Sequence, residues 1–222
     1  MKLHTLSAIA LVVSAVYASP SMAFGLPSIP GIGGGSGSAP SVNVDALTTQ
    51  QTDLLKSMAL SLLNLSKAQA MMFTALGDDD RAKAAQHTAD SLGSGTLTGT
   101  DDMKKALNSS LELNDYAKQD IAKAGTLSDA SKATFTKSLV PYGLGTAGLV
   151  AAGKRAADAG QSLTHTMDPT ILFKLSSLLY VAKEAPTLMS AFGSTTSQLV
   201  TYATSQGIDT SAIKVAGANM GE

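Results

Sequence analysis

The sequence predicts an all-α protein: a single helical bundle of about five to six amphipathic helices, preceded by a signal peptide and a flexible Gly/Pro/Ser-rich tail. Three observations lead there. Apolar residues recur at steps of three, four and seven over long stretches, the spacing that gathers one face of an α-helix. Hydrophobic residues make up 44% of the chain but aromatics only 5%, with no tryptophan, so Ala, Leu, Val and Met must fill the core, as they do between packed helices. Nowhere does a sustained alternating run of β-branched and aromatic residues stand between hairpin turns.

Residues 1–23 carry the order of a cleavable signal peptide. The charged start Met1-Lys2-Leu3-His4 precedes an apolar run from Leu6 to Ala18, then Pro20, then the small residues Ser21 and Ala23 where signal peptidase reads them. The apolar run, about 13 residues, is short of the roughly 20 that a helix needs to cross a bilayer, which disfavours an N-terminal anchor. A lipid anchor on an N-terminal cysteine is excluded because the chain has no cysteine. The mature chain is expected to begin at Phe24 and to reach a periplasm or the extracellular space. Residues 24–43 read as the tail: three prolines and a Gly/Ser run without charge up to Pro40, with Phe24, Leu26, Ile29 and Ile32 as possible contacts to a partner or to the protein's own surface.

The bundle domain is expected over 44–222. Its first helix runs from Val44 to Leu76 on a stripe that includes Leu47, Leu54, Met58, Leu62, Leu65, Met72 and Phe73. Gln51 and Gln69 fall on the same stripe, which predicts a partly wet seam, and Gly77 stops the helix. Asp78-Asp79-Asp80 opens a more polar second helix to Leu92, acidic side chains favouring the positive end of the helix dipole. The third, capped by Thr100 or Asp101, runs to Ala124 and turns Met103, Leu107, Leu111, Ala117 and Ile121 inward. Ser128 or Asp129 caps a fourth segment, which Pro141 is expected to interrupt.

Beyond Pro141 a strip of small residues, Gly145, Gly148, Ala152, Ala156 and Ala159, recurs every three or four positions. Such a strip lets a neighbouring helix come close, or leaves room for an apolar ligand. Asp168-Pro169 marks the next start, with Ile171 to Ala182 apolar on one face until Pro186 resets the chain. A last long helix through Leu188, Phe192 and Leu199 closes at Gly207, followed by a short one around Asp209 to Ala218.

Removing Lys2 from the 16 basic residues leaves 15 against 17 acidic ones, a mature formal charge of -2. That balance offers no footprint for nucleic acid, and the linear sequence shows no basic face for anionic lipid. The chemical motifs are weak. Gly143, Gly145 and Gly148 match a dinucleotide-binding glycine spacing, but that motif works at a strand-to-helix turn, and no parallel sheet is predicted. His87 and Asp90 lie one helical turn apart, too few ligands for a metal; His165 precedes a helix start. Asp78 to Asp80 lacks the alternating oxygen ligands of a calcium loop, and no serine stands in a nucleophile elbow. No catalytic, cofactor or metal residue is assigned.

The expectation is therefore an exported, non-enzymatic helical protein that binds a partner protein or an apolar small molecule in the cell envelope or outside it, without a cofactor. The candidate binding residues are Leu139, Tyr142, Gly145, Gly148 and Ala152. Two other readings stand beside it: a membrane-active secreted protein inserting Leu139 to Ala152, which is too short for a stable span, and an exported metal-dependent enzyme using His87 or His165.

Overall fold

The computed structural model describes residues 44–95, 99–163, 169–211 and 213; the signal peptide, the tail with Phe24, Leu26, Ile29 and Ile32, His165 and, apart from residues 209–211 and 213, the expected last short helix lie outside them. The described residues form six helices and no strand: α1 (Val44–Leu76), α2 (Asp79–Gly93), α3 (Thr100–Lys123), α4 (Asp129–Leu163), α5 (Pro169–Lys174) and α6 (Ser176–Ser205). The all-α bundle that periodicity and composition predict is present.

Local chemistry sets the helix ends. Gly77 takes a φ of 83°, a left-handed conformation that side chains resist, and it ends α1. The Asp78 carboxylate then accepts from the Arg81 backbone N–H (3.0 Å), capping α2. Ser128 does the same for α4, accepting from the Ser131 N–H at 3.2 Å. The cap expected at Thr100 or Asp101 falls instead on Gly99, because the Thr100 hydroxyl is drawn to Ser176 and Ser177 on α6, at 3.0 and 2.8 Å.

The two prolines do not break their helices. Helix α4 continues through Pro141 and α6 through Pro186. A proline removes one backbone donor and presses on the preceding turn, but here the surrounding packing holds the helix together. Thr146 additionally donates to the Tyr142 and Gly143 carbonyls (2.9 and 3.1 Å) just past the first proline. The interruption comes instead at Leu175, between α5 and α6, where φ is -102° and ψ 19°. Leu175 is fully buried, and its N–H and C=O keep helical partners, the Ile171 carbonyl and the Leu179 N–H, each at 3.1 Å.

Helix α1 is the centre of the bundle, packed most extensively on α4 and also on α2 and α3, while α6 packs on α4 and α3. Pairings along the helices fix their directions. Gly148 faces Ser61 and Gly145 faces both Ser61 and Leu65, so α4 runs antiparallel to α1. The Phe135 and Tyr202 rings meet edge-on at 5.5 Å, and Gly160 faces Ala182, so α6 runs antiparallel to α4. Gln51 ties the start of α1 to the α5–α6 break, donating to the Lys174 carbonyl (3.0 Å) and accepting from the Leu178 N–H (3.2 Å).

Between these helices lie Met58, Leu62, Leu65, Met72, Met103, Leu107, Phe135, Leu139, Tyr142, Leu178 and Phe192, all buried. At Gln69, where the sequence predicts a partly wet seam, the helices enclose a buried polar layer. Ser66 and Gln69 on α1 and Ser110 and Asn114 on α3 are all fully buried, and Ser66 Oγ, Gln69 Oε1, Ser110 Oγ and Asn114 Oδ1 have no protein partner. Only two long bonds hold the layer, Gln69 to the Ser110 carbonyl at 3.5 Å and Asn114 to the Ala191 carbonyl on α6 at 3.4 Å.

Candidate functional site

The small residues of α4 close a helix contact. A Cβ added at Gly145 would stand 2.7 Å from Leu65 Cγ and 2.8 Å from the Ser61 carbonyl oxygen; one at Gly148 would collide with the Ser61 hydroxyl. On the other side of α4, Cβ atoms at Gly153 and Gly160 would come within 3.1 Å of Ala185 and 3.2 Å of Ala182. There is no room for a methyl group at Gly145, and so none for an apolar ligand between that strip and α1. Leu139, Tyr142, Gly145 and Ala152 are buried and Gly148 is half-buried, all within this packing. Of the two roles that small side chains allow, the geometry shows close approach.

Tyr142 carries the polar end of that interior. Its hydroxyl donates to the Phe192 carbonyl (3.4 Å) and stands 3.3 Å from the Thr196 hydroxyl. Burial pushes the phenol well above its ordinary pKa, despite the opposing hydrogen bond with Thr196, so it stays neutral and serves as a structural hydrogen-bonding group.

The outward side of the same α4 segment is different. Leu144 is 61% exposed and Val140 55%, one helical turn apart, and on α1 Leu60 is 59% exposed and Met71 37%. The register places these four together. Leu144 precedes Gly145, which faces α1, by one residue and so points about 100° from it in the negative rotational sense, and Val140 a little further round; Leu60 and Met71 stand off the α4-facing residues Ser61 and Leu65 in that same sense. In an antiparallel pair, equal rotations point to the same side. The half-buried Ala147 and the exposed Ala151 extend the stripe along α4. Helices α2, α3 and α6 occupy the other sides of α1 and α4, so this face meets no other described helix.

Basic residues predominate along its middle, and the exposed Asp53 and Asp158 stand in register with it at the Leu60 end. From Leu54 to Gly77 on α1 the only charged residues are Lys56 and Lys67, and from Ala130 to Ala157 on α4 they are Lys132, Lys137, Lys154 and Arg155. The acidic residues concentrate elsewhere, above all on α2 and α3. This face is not legible in the linear sequence, because its halves are distant in the chain. Its one local signal is the Val140–Leu144 spacing, offset from the inward stripe of Leu139, Tyr142 and Gly145.

The other features provide less. A depression of about 640 Å³ where α1 passes into α2 is lined by Asp78, Asp79, Asp80, Lys83, Asp120 and Lys123. Its charges are largely neutralised locally: Lys83 lies 3.9 Å from Asp80, and Arg81 pairs with Asp120 while stacking 4.3 Å over the Tyr116 ring. His87 is exposed on α2, and the Asp90 carboxylate accepts from Gln86 at 2.8 Å. Among the described residues no three His, Asp or Glu side chains gather as a metal site. Gly143, Gly145 and Gly148 lie within a continuous helix, the wrong setting for a pyrophosphate-binding turn. No family model, curated protein or solved structure matches the chain.

Proposed function

We propose that the chain is an exported, non-enzymatic binding protein of the cell envelope or extracellular space, attached to an apolar partner through the outer face of α1 and α4. The observation that carries this reading is the clustering of Leu60, Met71, Val140 and Leu144 on one side of α1 and α4 that meets no other described helix. Scattered exposed leucines are ordinary on soluble proteins, whereas large side chains grouped on one face mark an interaction surface. Export supplies the setting and rests on the order of residues 1–23.

Two experiments test the two halves. N-terminal sequencing of the protein recovered from its native host is expected to begin at Phe24; a chain beginning at Met1 removes the export reading. A photo-crosslinking side chain at Leu144 or Leu60 is expected to form an adduct in the host envelope, while one at Glu112 on α3 does not. Equal yields from both positions, or none from either, would dismiss the face as a binding surface.

A further inference from the structure

Independently of the outer face of α1 and α4, we infer that α3 is a detachable helix: it lifts from α1 and α6 while those two stay packed with α4, and the buried polar layer is the seam along which it parts. The stripe by which α3 packs is Met103, Leu107, Ser110, Asn114, Ala117 and Ile121, in alternate steps of four and three, all buried. At such positions a bundle places apolar side chains, and a polar one there lowers stability. The two central positions of this stripe are polar. They meet Gln69 of α1, which donates to the Ser110 carbonyl at 3.5 Å, with Ser66 one turn before it.

The closed seam holds four fully buried oxygens without a protein partner: Ser66 Oγ, Gln69 Oε1, Ser110 Oγ and Asn114 Oδ1. When α3 lifts, bulk water reaches all of them. Each group so released favours the open form by about fivefold or more relative to an apolar side chain in its place, and the four together by a factor on the order of several hundred. The two bonds that cross the seam, from Gln69 and from Asn114 to the Ala191 carbonyl of α6 at 3.4 Å, are long and oppose opening only weakly. The open form is still the minor one, because Met103, Leu107 and Ile121 leave the core with α3; the polar layer raises its population.

Two features single out α3 as the part that moves. Its ties near either end join partly exposed groups: Thr100 with Ser176 and Ser177, Gln198 with the Lys118 carbonyl, Tyr202 with the Gly125 carbonyl, and Arg81 with Asp120. Water replaces such bonds at small net cost. The helices left behind hold one another through contacts in which α3 has no part: Gly145 against Ser61 and Leu65, Gly153 and Gly160 against Ala185 and Ala182, and the Phe135 ring on Tyr202. Opening withdraws Leu113 and Ala117 from their cluster with Ala70 and Phe73 of α1, and so uncovers an apolar strip that the closed bundle hides.

Two measurements on the full chain test this. In native-state hydrogen exchange of the unsubstituted protein, amides in the middle of α3 are expected to exchange at least about tenfold faster than those in the middle of α4, with a weaker dependence on urea. The second uses the absence of cysteine from the chain. The Ser110→Cys variant puts a single thiol in the seam, and Ser138→Cys puts one at a buried site on α4 as the control; circular dichroism verifies that both fold. The seam thiol should react with an aromatic disulfide reagent at least about tenfold faster than the control, with a shallow urea dependence where the control shows the full slope of global unfolding. Adding Ser66→Ala to the Ser110→Cys variant should slow its labelling about fivefold, because one oxygen fewer gains water on opening. Equal protection of α3 and α4, a seam thiol that labels only with the urea slope of global unfolding, or labelling that Ser66→Ala leaves unchanged or accelerates would each overturn the inference.

Discussion

Gly145→Ala tests the contact that sets which way α4 turns its apolar residues. The added Cβ would lie 2.7 Å from Leu65 Cγ, 2.8 Å from the Ser61 carbonyl oxygen and 2.9 Å from the Leu65 amide nitrogen. Carbon atoms prefer separations of about 3.5–4.0 Å, so the helices must part by about 1 Å. Two of the three neighbours are backbone atoms, which no rotamer change moves. Overpacking costs about 1–3 kcal/mol, and the rigid neighbours place this site near the upper end, about 3 kcal/mol. Alanine returns about 1 kcal/mol of helix propensity. The expected net loss is about 2 kcal/mol, a sizeable share of the stability of an ordinary domain.

Gly148→Ala is the matched control. Its first obstacle is the Ser61 hydroxyl, which can turn away at the cost of its 2.7 Å bond to the Ser57 carbonyl. That loss, about 1 kcal/mol, offsets the gain in propensity, and the variant should unfold near the wild-type midpoint. Urea denaturation followed by circular dichroism measures both. A Gly145→Ala protein at least as stable as the wild type, or a Gly148→Ala protein that is the weaker of the two, would refute the close approach of α1 and α4.

Two further outcomes follow from the interior. With its pKa raised by burial, Tyr142 contributes full stability below a pH of about 10, where both folded and unfolded chains hold the phenol proton. Above that the unfolded chain releases it first, so stability falls as pH rises. Tyr142→Phe should cost about 1 kcal/mol at neutral pH and show a shallower alkaline loss, which pH-dependent urea midpoints measure; an unchanged slope contradicts the assignment. In the polar layer, Ser66→Ala and Ser110→Ala each remove a fully buried hydroxyl without a protein partner and should stabilise the fold by about 1 kcal/mol. Thermal midpoints that fall instead would mean that these hydroxyls are bonded in solution.

Much of the fold was legible in the sequence because it depends on local rules. The periodic stripe, Gly77 and the Asp78 cap define α1 and the start of α2 at the expected residues. Pro141 and Pro186 misled for the same reason: their effect on the backbone is local, but the continuity of α4 and α6 depends on neighbours that the linear chain does not reveal. The break between α5 and α6 at Leu175 has no proline or glycine to announce it. The small-residue strip was recognisable, yet its role required knowing what faced it. Ser61 and Leu65 supply that answer, and with it the rotation of α4 that turns Tyr142 inward and Leu144 outward. A surface assembled from α1 and α4 becomes visible only after that rotation is fixed.

The chain contains no cysteine, so one introduced at Leu144 is a unique reporter for the face. The most direct measurement compares its maleimide labelling rate in the purified protein with that in the isolated native envelope, alongside a cysteine at Glu112 on α3. Binding through α1 and α4 predicts that the Leu144 position labels readily in the purified protein and is protected in the envelope, whereas the Glu112 position labels alike in both. Equal labelling of the Leu144 position in the two settings would contradict the account.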